Sequence, residues 1–245
     1  MNNYNELNAH PRDYNIHFNE EEHKYTVNGE ELISVTTLVA KFFKEFDADF
    51  WAAKKAAEQG KTPEEVKAEW QAKSINARNK GTEMHAMIEN YYKGGSIDDV
   101  PGDIRPYFQQ FAAEYKLQPY RTEWAIYDEQ AKIAGTLDFL ELKDGVFTLY
   151  DWKRSNKLIW RGAADKVNRF GYSGLSPIKH IPDTIYWHYA LQLSMYRYLL
   201  EKNYDINVST GRLAVFHPEL EKPYVLEVPY LREEVLSILR KGWSI

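Results

Sequence analysis

The sequence predicts an α/β protein: a mixed central β-sheet flanked by helices, with a helical N-terminal extension. Three observations carry that expectation. Helix-period runs fill residues 62–92 and 185–202, whereas period-two, β-branched and aromatic runs crowd residues 121–153. Two dipeptides, Asn28-Gly29 and Asp144-Gly145, sit between such runs and mark two-residue hairpin turns. The order helix, three strands, helix, strand then suits a single mixed sheet with helices packed on it.

The elements follow in order. The first dozen residues are polar and read as a loose arm. His17-Phe18, His23-Lys24-Tyr25-Thr26-Val27, the Asn28-Gly29 turn and Leu32-Ile33 read as a short hairpin. Ser34-Val35-Thr36-Thr37 can cap a helix through Leu38, Val39, Phe42 and Phe43. A second helix covers about residues 50–58. Thr62-Pro63-Glu64-Glu65 has the form of a capping box with proline at the first helical position. The helix it opens runs to Tyr92, with a break expected near Gly81, and Lys93-Gly94-Gly95-Ser96 ends it. Another helix is expected over residues 103–115, then strands over 123–127, 135–142 and 146–153. Residues 156–182 form a long, basic and aromatic connection, of a length that is usually functional or disordered. A strong helix over 185–202 precedes strands at 213–217 and 224–228 and a helix from Arg232. The chain divides into an N-terminal hairpin and helical region, 1–62, and a core, 63–245, expected to form one continuous compact unit.

With 245 residues, 44% hydrophobic and 27% charged, the chain can bury a substantial core and has the balance of a globular domain. No apolar run reaches the roughly 18–20 residues a bilayer span needs, and the start lacks a secretory pattern. The expectation is therefore a cytoplasmic protein of a bacterial or phage-infected cell, neither secreted nor membrane-bound. Cysteine is absent, which excludes disulfides, thiolate zinc sites, iron–sulfur clusters and cysteine nucleophiles. The net charge of −5 speaks against a non-specific nucleic-acid coat, but acidic metal ligands would contribute to it, so an enzyme acting on DNA is compatible. No Walker motif is present, so no ATP site is expected.

The Asp144-Gly145 turn carries the chemistry. It pairs Lys143 with Val146 and so sets Asp138 opposite Asp151 and Thr136 opposite Lys153. Like charges directly opposed across a ladder destabilise it, so two such carboxylates want a cation between them. Lys153 lies two residues beyond Asp151 and shares its strand face. Carboxylates offer hard oxygen donors suited to Mg²⁺ or Mn²⁺. The bland alternative is a solvated hairpin in which Lys153 simply pairs with both acids. Against it, Leu140, Leu142, Phe147 and Leu149 share the acids' face and Tyr150 and Trp152 the other, which reads as a central strand pair.

Four motifs in order extend this: Gly81-Thr82-Glu83-Met84-His85, Gly135-Thr136-Leu137-Asp138, Asp151-Trp152-Lys153 and Gln192-Leu193-Ser194-Met195-Tyr196. Together they resemble the RecB-like branch of the PD-(D/E)xK nuclease superfamily, closest to phage-type exonucleases and the mitochondrial genome maintenance exonuclease. Ser34-Val35-Thr36-Thr37 and the surroundings of His217-Pro218 are similar to that subgroup too. The resemblance implies a restriction-endonuclease-like core and a division of roles. His85, Asp138, Asp151 and the Trp152 carbonyl would ligate Mg²⁺ or Mn²⁺, Lys153 would be the catalytic lysine, and Gln192 and Tyr196 would sit beside the site. The four-cysteine iron–sulfur relatives are set apart by the absence of cysteine here.

Other residues carry two readings each. His188, Gln192 and Tyr196 form one polar helical stripe, facing either the site or solvent. Glu89, four residues after His85, shares its face and could orient the ring. Glu123 could be a further acid at the site or could pair with Arg121 or Lys153. Ser34, Thr36 and Thr37 could seat a phosphate or merely cap a helix. Arg78 and Lys80 could contact a phosphate or be solvated, and Arg154 with residues 157–179 could line a DNA channel. The resulting expectation is a metal-dependent exonuclease on single-stranded DNA ends or flaps, working with DNA and a possible recombination or replication partner. The alternatives are a structure-specific endonuclease on the same site and a catalytically silent DNA-binding subunit.

Overall fold

Both dipeptide turns form as two-residue hairpins with left-handed central residues. Asn28 and Gly29 take φ of 52° and 83°, and Asp144 and Gly145 take 51° and 77°. The computed structural model describes residues 3–19, 22 and 24–241; His23 of the first expected hairpin lies outside them.

In chain order the elements are α1 (Tyr4–Leu7), a 3-10 turn (Pro11–Tyr14), β1 (Ile16–Asn19), β2 (Lys24–Val27), β3 (Glu30–Ser34), α2 (Val35–Ala40) and α3 (Ala48–Gln59). Then come α4 (Pro63–Tyr92), a 3-10 turn (Ile97–Asp99), α5 (Arg105–Tyr115), β4 (Pro119–Asp128), β5 (Ile133–Lys143) and β6 (Val146–Lys153). A short ribbon of β7 (Ile159–Trp160) and β8 (Ala163–Ala164) precedes α6 (Ile185–Asn203), β9 (Val208–Val215), β10 (Tyr224–Val228) and α7 (Arg232–Lys241). No helix among the described residues is long and apolar enough to cross a membrane.

The main sheet is mixed, ordered β1-β2-β3-β5-β6-β9-β10 with β4 also paired to β5. The β3–β5 and β6–β9 pairs are parallel and the others antiparallel. Strand alternation sorts the residues of β6 onto two faces, as the sequence predicts. Leu149 joins a core with Leu38 of α2, Leu191 and Leu199 of α6 and Val235 of α7. Tyr150 and Trp152 point the other way, into a core with Met84 and Ile88 of α4 and Phe108 and Phe111 of α5.

One detail of the topology makes room for a site. β4 lines one edge of β5 from Ile133 to Glu141. β3 and β6 must therefore share the other edge. β3 takes Ile133 and Ala134, and β6 takes Phe139 to Lys143. Residues 135–138 of β5 lie in the fork between them.

Two expectations need correcting. α4 runs through Gly81 without a break, because glycine lowers helix propensity but keeps its backbone hydrogen bonds. The capping box does form: Glu65 N–H donates to Thr62 Oγ1 at 3.2 Å and Thr62 N–H to Glu65 Oε2 at 2.7 Å. Nor is the N-terminal segment loose. Asn5 Nδ2 donates to the Thr122 carbonyl at 2.8 Å, and its Oδ1 accepts from Thr122 N–H at 3.1 Å. Asp13 accepts from Arg121 Nη1 at 2.8 Å and from Trp124 Nε1 at 2.7 Å. The polar composition that suggests a free arm is what satisfies the unpaired edge of β4. Asp13→Ala removes the carboxylate paired with the buried Arg121 guanidinium, which keeps Asn5 and Asn8, and leaves the Trp124 indole N–H without its acceptor. It is expected to lower unfolding free energy by about 2–3 kcal/mol, measured by urea denaturation.

Candidate metal centre

The β5–β6 ladder has the register set by the Asp144-Gly145 turn, with Lys143 opposite Val146 and Phe139 opposite Tyr150. There it stops. Asp138 and Asp151 do not form the ladder pair expected from the turn. The Trp152 N–H instead donates to Asp138 Oδ2 at 2.7 Å, bending that carboxylate into the fork. Thr136 likewise does not face Lys153 in a ladder. It pairs with Ala125 on β4, and Lys153 pairs with Val215 on β9. The two acids remain electrostatic neighbours, Asp138 adding to the rise that burial gives the Asp151 carboxyl, but no ladder pair joins them.

Asp151, 1% exposed, is held on two sides. Lys153 Nζ lies 2.5 Å from Oδ2, and Gln192 Nε2 donates to Oδ1 at 3.3 Å. Gln192 Nε2 also reaches the Tyr196 hydroxyl at 3.2 Å, so the polar stripe of α6 turns inward at these two residues. His188, the third member, faces elsewhere: it donates to Asp183 at 2.8 Å and stacks on Phe43 at 3.7 Å. One contributor, Tyr189, escaped sequence reasoning, and Gly135, though part of a motif, had no role assigned from sequence. The Tyr189 ring lies 4.4 Å from the Lys153 ammonium, and its only sequence signal is its position three residues before Gln192. Gly135 leaves space for Tyr196, since a Cβ there would stand 2.7 Å from the buried ring's Cε1. Gly135→Ala is expected to cost about 1–3 kcal/mol by overpacking and to displace Tyr196 from Gln192, read as a lowered denaturation midpoint.

His85 enters from α4, between the fully buried Met84 and Ile88, which fix the helix face. Its Nε2 donates to the Trp152 carbonyl at 2.9 Å. Its Nδ1 lies 3.6 Å from Asp138 Oδ2 and 3.8 Å from Glu123 Oε1. Ligand atoms of His85, Glu123 and Asp138 all fall within 4.8 Å of one another. The Trp152 carbonyl borders this group, while Asp151 stands beside it with Lys153.

Glu123 reaches the group by an unusual backbone. Its neighbours are in the ladder, Thr122 with Phe139 and Trp124 with Leu137, yet its own φ is +43°. A left-handed non-glycine residue inside a strand costs about 1–3 kcal/mol. Opposite it the alternation of β5 slips, so that Leu137 and Leu140 both pack on one core while Phe139 packs on the other. Glu123 pairs with neither Arg121 nor Lys153, whose charges are engaged by Asp13 and Asp151.

The charges respond to confinement. Burial pushes the Asp138 carboxyl up, partly offset by His85 and Lys153. Burial likewise raises Asp151, to about 6, against the pull of Lys153. Burial would lower His85, but Asp138 and Glu123 outweigh it and hold the ring at about 9. Burial would lower Lys153 too, and Asp151 and Asp138 more than offset it, raising the ammonium above its ordinary value. The centre is short of positive charge.

The remaining candidates stand apart. Glu89 does not orient His85; it is drawn to Lys93 at 2.5 Å and accepts from Thr122 Oγ1 at 3.4 Å, because α4 turns that residue toward β4. Ser34 Oγ accepts from Thr37 N–H at 3.1 Å and contacts Thr36 Oγ1 at 3.0 Å, so these hydroxyls cap α2, which has six residues. Arg154 is ion-paired to Asp103, which also meets Lys80 at 3.5 Å, whereas Arg78 lies on the exposed stretch of α4. Within 156–182, Arg169 pairs with Asp165 at 3.0 Å and stacks over Trp160, and Lys166 lies over Tyr186 of α6.

The donor set fits a divalent cation. Carboxylates, an imidazole and a carbonyl converge, and Glu123 Oε1 is buried without a hydrogen-bond partner. No family model matches the chain, and no curated protein matches it. Among solved structures it is similar to SSO0001, at 15% identity over 88% of this chain and 77% of that one, with a TM-score of 0.38.

Proposed function

We propose that this chain is a metal-dependent DNA nuclease of the RecB-like PD-(D/E)xK type, hydrolysing phosphodiester bonds at single-stranded ends or flaps. One observation carries the reading. An imidazole, carboxylates and a backbone carbonyl converge beside a buried Asp151–Lys153 pair, on elements in the order His, Asp, Asp-x-Lys, Gln-x₃-Tyr. The mixed sheet flanked by helices is compatible with a restriction-endonuclease-like core.

His85, Asp138, Asp151 and the Trp152 carbonyl would hold Mg²⁺ or Mn²⁺, which when bound supplies Lewis-acid polarisation of a phosphoryl oxygen and a more acidic water. The protein's own groups do the rest. Lys153, braced by Asp151 and the Tyr189 ring, presents its ammonium to the attacking water and to charge developing on the phosphoryl group. Gln192 keeps Asp151 from rotating away, and Tyr196 secures Gln192 through its hydroxyl. The aromatic packing of Trp152 on the far sheet face fixes where its carbonyl points.

The test is cleavage of 5′- or 3′-labelled single- and double-stranded DNA with Mg²⁺, Mn²⁺ or EDTA. Release of short products from single-stranded ends, dependent on the ion and abolished by EDTA, is the expected result. Strand binding without metal-stimulated cleavage would identify an accessory subunit instead. Cutting of circular single strands would make the enzyme an endonuclease.

A further inference from the structure

We infer that Glu123 is itself a ligand of the divalent ion at this centre, and that β4 holds its backbone left-handed for that purpose. The inference rests on the nuclease reading for the ion and concerns a residue outside the ligand set that the four motifs imply. Three observations carry it. Glu123 Oε1 is buried without a hydrogen-bond partner and lies 3.8 Å from His85 Nδ1. It also belongs to the one three-residue donor group found among the described residues, with His85 and Asp138. The backbone supplies the third, since the +43° φ falls at Glu123 alone within β4.

A kink needed only for shape would be met more easily by glycine, which adopts positive φ freely. Here the kink places a carboxylate beside a second carboxylate, and the flanking residues are clamped to keep it there. Asn5 holds both backbone groups of Thr122, and Asp13 holds the Trp124 indole. In the ion-free protein the His85 imidazolium stands beside both carboxylates and offsets their repulsion, so ion-free stability alone does not separate a ligand role from a structural one. The two roles differ in the response to the ion. Removing a structural carboxylate leaves ion binding unchanged, whereas removing a ligand weakens it.

The experiment compares wild type, Glu123→Gln, Glu123→Gly and Asp138→Asn as full chains. Calorimetric titration with Mn²⁺ and melting curves with and without Mn²⁺ are the readouts. In the ion-free state Glu123→Gly should melt above Glu123→Gln, because strain is also relieved. In both variants Mn²⁺ affinity should fall by at least about 10–100-fold, and the Mn²⁺-induced melting shift should shrink accordingly. If Glu123→Gln binds Mn²⁺ as wild type does while Asp138→Asn does not, the inference fails and the nuclease reading stands. Failure of wild type itself to bind Mn²⁺ overturns both. A lower ion-free melting temperature with unchanged Mn²⁺ affinity assigns Glu123 a purely structural role.

Discussion

Replacing Lys153 with alanine is expected to slow the proposed Mn²⁺-dependent DNA cleavage by about 10²–10⁴-fold, while the protein still folds and the proposed Mn²⁺ binding is kept. The side chain is 14% exposed and projects from the end of β6, with its ammonium 2.5 Å from Asp151 and over the Tyr189 ring. That position donates hydrogen bonds and charge toward the fork without contributing a metal-ligand atom. The loss should therefore appear in kcat, with Mn²⁺ affinity changed far less than in Asp138→Asn. Single-turnover cleavage, Mn²⁺ titration and far-ultraviolet circular dichroism separate these quantities. Full activity in Lys153→Ala, or full activity in Asp151→Asn, would remove the basis for the proposed chemistry.

The largest effect on stability is expected from Trp152→Ala, at about 3–5 kcal/mol. Trp152 is 1% exposed and stands among Tyr92, Phe111, Phe139, Tyr150 and Phe216, with ring centroids 5.4–6.5 Å away. Truncation leaves a cavity ringed by rigid aromatics from α4, α5, β5, β6 and the residue that follows β9, and such walls collapse poorly. A urea titration should show the midpoint falling with little change in slope. Trp160→Ala is the matched control, since Trp160 is 50% exposed and its loss should stay within about 0.5 kcal/mol. Trp152→Phe, which keeps the packing and the carbonyl, should lose much less on both stability and cleavage.

How much of this was legible in the sequence follows from how local each signal is. Asn28-Gly29 and Asp144-Gly145 demand left-handed turns whatever surrounds them, and both turns are where they were expected. The two faces of β6 follow from a strict period of two. Gln192 and Tyr196 share a helix face by spacing alone, and the structure turns that face inward. Signals that depend on distant partners were hidden. Nothing near Glu123 foretells a positive φ, because it arises opposite Asp138, where β6 parts from β5. The N-terminal segment looked free because its partners, Arg121, Thr122 and Trp124, lie more than a hundred residues away. Glu89 was drawn toward His85 by helical spacing, but Lys93 at the next turn and Thr122 across the groove compete for it. The ladder end between Asp138 and Asp151 was missed for a similar reason: register extrapolates only while both strands stay paired, and β6 is pulled toward β9.

The clamp of Asn5 on Thr122 has a practical consequence for anyone preparing shortened versions of the protein. A polar stretch ahead of the first hairpin invites trimming as a dispensable leader. Cutting it away would leave the residue next to Glu123 without its amide brace and strip Arg121 of Asn5, Asn8 and Asp13 together. A truncated preparation should then fold yet hold Mn²⁺ weakly, a defect easily mistaken for an inactive gene product.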